Sequence, residues 1–252
     1  MNDVPVPRPA ATIVLYRADD SARCGFRVFM VRRSMKSRFM PGAHVFPGGA
    51  VDDCDRVLEA RAGLGVDDVE AERRFRGEVD GVTAQSLLRA GLRELSEEAG
   101  LSLHDAVGLL PFAHWITPAS EPRRFDAWFL AAPLPEGAAP GHDDYEVHES
   151  RWIDPGKAVA DYGDGDMLLA PPTFHTLWDL SRFGSLQGFL QDASSRPIPA
   201  VQPRVRTDEA GISFLLPGDR DYHAPASMPG PTRITLSGEG RWIMQECREQ
   251  EP

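Results

Sequence analysis

The stretch Arg93-Glu94-Leu95-Ser96-Glu97-Glu98-Ala99-Gly100-Leu101 constrains this chain more than any other. Its carboxylates Glu94, Glu97 and Glu98 stand at i, i+3 and i+4, neighbours on one face of an α-helix. Leu88, Leu92, Leu95 and Ala99 recur on another flank and give an apolar stripe for a core. Gly100 follows the last residue of that stripe as a C-cap, and Thr83 offers an N-cap. The spacing predicts a helix over 84–99. Like charges at this spacing work mildly against a helix. Two readings of the trio are open. One is a solvated charged face. The other is a ligand set for a hard divalent cation, which takes oxygen donors where carboxylates meet phosphate.

Upstream stands Phe46-Pro47-Gly48-Gly49-Ala50-Val51, a glycine turn. Taken in order, this turn and the Arg93–Leu101 stretch resemble the two halves of the Nudix box. The usual spacing from the second glycine to the arginine is about 14 residues, whereas Gly49 and Arg93 are separated by about 44, so about 30 residues are inserted. The expected place of the insert is 55–81. Where the family carries a glutamate eight residues before the arginine, this chain has Gln85, which puts the local loop geometry in question. An insertion after Phe-Pro-Gly-Gly resembles the branch that includes the mammalian peroxisomal coenzyme A diphosphatase and its bacterial relatives. Trp115-Ile116-Thr117-Pro118 and Arg124-Phe125-Asp126 are similar to that branch as well.

The resemblance implies an α/β fold: a Nudix α/β/α sandwich around a mixed β-sheet, with an insertion inside the box and a C-terminal β-rich extension. It implies a hydrolase domain over 8–192 and a proline-rich extension over 193–252, packed on the core. The implied reaction is Mg²⁺- or Mn²⁺-dependent hydrolysis of a diphosphate in a nucleotide linked to another moiety. Coenzyme A or acyl-coenzyme A is the first substrate class; NADH, ADP-ribose and dinucleotides are chemically equivalent at the cleaved bond. A nucleotide sensor without turnover is the reading from a different class. By resemblance, Glu94, Glu97 and Glu98 hold the metal with help from the Gly48 carbonyl. Glu94 or Glu146 takes the proton from water, with Glu149 as the fallback base or ligand. Arg93 orients Glu94 or a neighbouring backbone group. Many members of the family are homodimers, so a homodimer stays open.

The remaining sequence narrows this. A net charge of −11 over 252 residues argues against a nucleic-acid-binding surface, which needs a basic patch. It does not argue against a phosphorylated substrate, because a bound metal supplies local positive charge. Cys24, Cys54 and Cys247 are few, distant and odd in number, which predicts reduced thiols and a cytoplasmic setting. No run is apolar and long enough to span a membrane, no signal peptide is read at the start, and Glu-Gln-Glu-Pro at the end is not a peroxisomal address.

Strands are expected over 11–16, 26–32, 44–46, 107–115 and 125–131, with further β runs at 211–216, 232–236 and 242–244. One helix is expected over about 170–190. Asp52, Asp53 and Asp55 read either as groups that support the metal ligands or as a solvated acidic turn, the second being preferred. Arg33, in the cluster Arg32, Arg33, Lys36 and Arg38, is a candidate for steering phosphate, against the plainer reading of a solubilising loop. Trp115 and Phe125 are candidates to stack on a base and Arg124 to contact phosphate, although buried aromatics are more commonly core residues.

Overall fold

The computed structural model describes residues 4–37, 40–141, 147–209, 211–223, 228–238 and 242–248. A long strand organises it: β1 (Arg8–Ala18) alternates its side chains between two cores. Ala11, Ile13 and Leu15 face one; Val14 and Tyr16 face the other. This is the period-2 pattern of a strand covered on both sides. β6 (Phe125–Pro133) runs parallel to β1 and divides in the same way, Trp128, Leu130 and Ala132 against Phe129 and Ala131.

Around this pair the mixed sheet is completed by β2 (Phe26–Arg33), β3 (His44–Val45), β5 (Leu110–Ile116) and β8 (Ala200–Val201), in the order β3-β2-β1-β6-β5-β8. β4 (Gly48–Ala50) pairs with the first half of β1, and β7 (Val147–Ile153) with β2.

The first core lies between the sheet and α4 (Gly81–Ala99). The second lies under α5 (Pro155–Asp164), α6 (Pro171–Ser181) and α7 (Leu186–Ser195). The result is the expected α/β/α sandwich. Helix α4 starts three residues before the expected position, because Asp80 and not Thr83 is the N-cap: the Asp80 carboxylate accepts from the Thr83 backbone N–H at 3.0 Å and from its hydroxyl at 2.8 Å. Gly100 adopts φ +60° and caps the C-terminus. Gly91 sits where a Cβ would lie 2.8 Å from Ile13, so α4 packs close on β1.

Between β4 and α4 the chain forms α1 (Asp53–Arg56), α2 (Leu58–Arg61) and α3 (Asp68–Arg74). They are woven into the first core through Leu64, Val66, Ala71 and Phe75, whose ring meets Trp128 edge-on at 4.8 Å. The helix expected over 170–190 is two helices, α6 and α7, divided at 182–185, where Ser185 caps the second by accepting from the Gly188 N–H. The segment 155–164 was not read as a helix, although Asp154 as N-cap, Pro155 at the first turn and Gly165 at φ +86° are its signals.

Beyond α7 the chain adds β8 to the main sheet. It then forms an antiparallel sheet from β9 (Arg204–Asp208), β10 (Gly211–Leu215), β11 (Arg233–Leu236) and β12 (Trp242–Gln245). Leu216 and Ile234 are fully buried in the second core, and the Tyr162 hydroxyl donates to the Trp242 carbonyl. No helix among the described residues is long and apolar enough to cross a membrane.

Candidate active site

Helix α4 carries its acidic face to the turn that opens β4. Gly49 approaches Glu94 so closely that a Cβ there would fall 2.3 Å from a Glu94 carboxylate oxygen, and a Cβ on Gly48 would fall 2.5 Å from the Ala11 carbonyl. Only glycine leaves room for this contact. The Gly48 backbone N–H donates to Glu98 Oε2 at 3.0 Å, tying the turn to the end of the helix.

Arg93 is the hub. Its Nη1 donates to Glu94 Oε1 at 2.8 Å and to Glu97 Oε2 at 3.0 Å. Its Nη2 donates to the Ala50 carbonyl at 3.0 Å and to Asp55 Oδ2 at 2.9 Å, and its Nε reaches Asp55 Oδ1 at 3.1 Å. Asp52 stands at 3.9 Å. These bonds, that to Asp55 first, raise the Arg93 pKa further above its ordinary value. The guanidinium is occupied by protein on all sides, so it acts by holding Glu94 and the backbone of β4.

Asp55 fits the less favoured of the two sequence readings, a group that supports the metal-ligand residues. Its side chain is 1% exposed. It closes a capping box with Asp52 at the start of α1 and holds Arg93 in a forked pair. The acidic turn is therefore not uniformly solvated. Gln85, the supposed stand-in for a loop-shaping glutamate, instead accepts from Arg61 at 2.9 Å and donates to the Val66 carbonyl at 2.6 Å, inside the insert. The carboxylate facing the arginine is Asp55. The available signal was position: Asp55 follows Gly49 by six residues, within reach of the same turn.

Burial raises the Glu94 pKa, opposed by its bond to Arg93 and reinforced by the charges of Glu97 and Asp52. Four carboxylates thus surround one guanidinium, with Glu98 beside them. Among the described residues no three acidic, His or Cys side chains are already drawn together around a cation position; here Arg93 and the Gly48 N–H hold them. The donor chemistry still fits a hard divalent cation: all oxygen, in negative excess, with Glu97 57% exposed and free of packing.

The other expected residues are scattered. Glu146 lies outside the described residues. Glu149 pairs with Arg32 at 3.4 Å. Arg32 sits on the β2 face shared with Val28 and Met30, which belong to the second core, so Glu149 is directed away from α4. Trp115 is buried in that second core against His175, across the sheet from the trio, and is a packing residue. Arg124 is buried, its guanidinium donating to the carbonyls of Thr117 and Pro5, so it fastens the N-terminal segment to the β5–β6 loop. Phe125 is 39% exposed at the start of β6, paired with Arg8, whose side chain reaches Asp52 at 3.4 Å. Arg33, at the end of β2, keeps a buried Nε without a hydrogen-bond partner among the described residues.

Comparison with known proteins bears on the fold and the family resemblance. The family model described as the NUDT19 Nudix domain matches residues 7–71. The acyl-coenzyme A diphosphatase NUDT19 of Gallus gallus is 25% identical in an alignment covering 91% of this chain and 83% of that protein. The putative nudix hydrolase 7 of Caenorhabditis elegans is 28% identical, covering 90% of this chain and 78% of that protein. The crystal structure of a NUDIX hydrolase from Alicyclobacillus acidocaldarius superposes with a TM-score of 0.64 at 23% identity, over 78% of this chain and all of that one, and shows the shared fold.

Proposed function

This chain belongs to the Nudix hydrolase superfamily, and we propose that it hydrolyses the diphosphate of coenzyme A or an acyl-coenzyme A in a reaction dependent on Mg²⁺ or Mn²⁺. One observation supports the reading: Glu94 lies against Gly49, Glu98 accepts from the Gly48 N–H, and Arg93 holds Glu94 and Glu97, leaving the acidic groups in negative excess. The substrate class comes from the relatives described as acyl-coenzyme A diphosphatases.

Water attacks one phosphorus of the diphosphate, the bridging P–O bond breaks, and two phosphomonoesters leave: a phosphopantetheine and an adenosine bisphosphate. Glu94, Glu97 and Glu98 would hold the cation, with the Gly48 carbonyl assisting. When bound, it supplies positive charge to the phosphoryl oxygens and a more acidic water. Glu94, whose raised pKa suits a base, takes the proton of the attacking water, and Glu146 is the second candidate. Arg93 positions Glu94, and Asp55 fixes Arg93. In this reading residues 8–192 carry the chemistry, and the C-terminal sheet packs on the second core through Leu216 and Ile234. The three free cysteines suit a cytoplasmic setting, and the acidic chain offers no nucleic-acid surface.

The test is product release with Mg²⁺ and then Mn²⁺ on coenzyme A, acyl-coenzyme A, NADH, ADP-ribose and dinucleoside polyphosphates. Metal-dependent cleavage restricted to the coenzyme A class is expected. Nucleotide binding without turnover of any member would replace the enzyme with a sensor.

A further inference from the structure

Away from the acidic trio, β2, β3, β7, α5 and the start of β12 enclose a cavity of about 460 Å³. Arg32, His44, Glu149, Arg151, Tyr162 and Trp242 are among the residues lining it. Its polar groups are arranged unequally. Arg32 is engaged, donating to the Gly42 carbonyl and to Glu149, each at 3.4 Å. Arg151 is not: its Nε and Nη2 are both buried and lack a hydrogen-bond partner among the described residues. His44 is 6% exposed and its Nδ1 is likewise buried and unpartnered.

Unmet buried donors are costly, and a guanidinium more so than most. A cavity lined by one guanidinium edge and one imidazole nitrogen, both without a partner among the described residues, is suited to an acceptor that comes from outside. Burial first, then the charge of Arg151, lowers the His44 pKa to about 4. The ring is therefore neutral at physiological pH and can donate one N–H without adding repulsion. Glu149 pairs with Arg32, and Asp166, exposed to water, also lines the cavity. Arg151 is the cation there whose Nε and Nη2 lack a hydrogen-bond partner among the described residues.

We propose that this cavity binds a phosphate monoester, held in fork geometry by Arg151 and by the N–H of His44. Forked guanidinium–phosphate pairing uses two adjacent donors, and Nε with Nη2 is such a pair. His44 sits on the sheet face directed away from α4, and it is four residues from Gly48, at most about 14 Å. A monoester on a nucleotide substrate that reaches round the sheet edge is one source of the ligand, and free phosphate is the other. The first source rests on the proposed function; the second does not.

Calorimetry on the full chain without metal separates these cases, using adenosine 3′,5′-bisphosphate, AMP and inorganic phosphate with the native protein, Arg151→Met and Arg151→Lys. If the monoester belongs to the substrate, the bisphosphate binds about tenfold or more tighter than AMP, and Arg151→Met removes the difference. Arg151→Lys restores part of it, since the charge returns without the fork. If free phosphate is the ligand, inorganic phosphate binds saturably and competes with the bisphosphate, again lost in Arg151→Met. Equal binding of all three ligands to native and Arg151→Met protein, both folded by thermal melt, overturns the proposal. Glu98→Gln in parallel keeps the two readings apart: it is expected to abolish turnover and leave this binding in place. Binding that persists in a protein with no turnover on any substrate would fail the enzyme reading alone.

Discussion

Two arginines in this molecule are ringed by carboxylates, and they are ringed differently. Arg233, on β11, makes a forked pair with Asp219 at 2.9 and 2.7 Å and reaches Asp221 at 2.6 Å; Arg206 shares Asp221 at 2.6 Å. Two cations meet three anions, Asp208 joining Arg206 at 2.8 Å, and Asp219 is 0% exposed. Arg93 meets Asp55, Glu94 and Glu97 by itself and shares Asp52 with Arg8. The first cluster shares its carboxylates between two arginines around a sealed Asp219, as a clamp for the C-terminal sheet should. The second has surplus negative charge, and Gly48 and Gly49 keep side chains out of its approach. Carboxylates shared between arginines around a sealed aspartate suit a structural cluster, and a larger acidic excess beside a glycine turn is what the proposed cation site requires.

The sharpest way to break this comparison is to remove the surplus. Glu97→Gln with Glu98→Gln should lower Mg²⁺-dependent turnover by about a hundredfold or more, because a bound metal supplies several kcal/mol of charge stabilisation and each 1.4 kcal/mol is tenfold. The melting curve should change by no more than about 1 kcal/mol, since the exposed Glu97 pair contributes little to folding. Retained turnover would make the trio a solvated face.

The converse experiment is Arg233→Met. It strands the buried Asp219 and should destabilise the fold by about 3–5 kcal/mol, read by urea denaturation. Turnover per folded molecule should stay unchanged. Loss of turnover in a folded variant would mean that the C-terminal sheet takes part in the site.

Asp55→Asn falls between these two, because Asp55 is buried like Asp219 yet serves the acidic site. About 10–100-fold lower turnover, as expected when the support of a metal ligand is removed, should come with about 2 kcal/mol of lost stability. A stability loss without a kinetic effect would place Arg93 with Arg233 as a purely structural cluster.

What the sequence made legible follows from how local the causes are. The apolar stripe of α4, its Gly100 cap and the period-2 alternation of β1 are short-range patterns, and they are found where expected. The N-cap moved from Thr83 to Asp80 because both can serve, and the helix ran on through Gly81 to the aspartate. Trp115 and Arg124 could not be placed from their neighbours in the chain: which face of β5 meets α6, and which carbonyls the Arg124 guanidinium finds, are settled by packing of distant segments. Asp55 was hidden by the insert, which separates it from Arg93 by 38 positions although they share a forked ion pair. The box was recognisable from its ends, while the pairing across its interior was not.

The smallest expected effect concerns Glu94 and pH. Burial raises its pKa in the folded protein, so folding favours the protonated form. The stability tied to this group is fully present below the ordinary glutamate pKa and is lost as pH rises through the raised folded value. Without metal, the native protein should therefore lose a little stability over that window, and Glu94→Gln should flatten the profile. A bound cation favours the ionised carboxylate and reverses the sign: Mg²⁺ should stabilise the protein more at neutral pH than at pH 5, by mass action on the ionised site. Arg233 offers the control, because its carboxylate partners are already matched by arginines and Mg²⁺ should not shift the stability they contribute. Thermal melts from pH 4 to 8, with and without Mg²⁺, read both profiles at once. A Mg²⁺ effect that persists unchanged in Glu94→Gln would move the cation away from Glu94 and leave Glu97 and Glu98 to hold it.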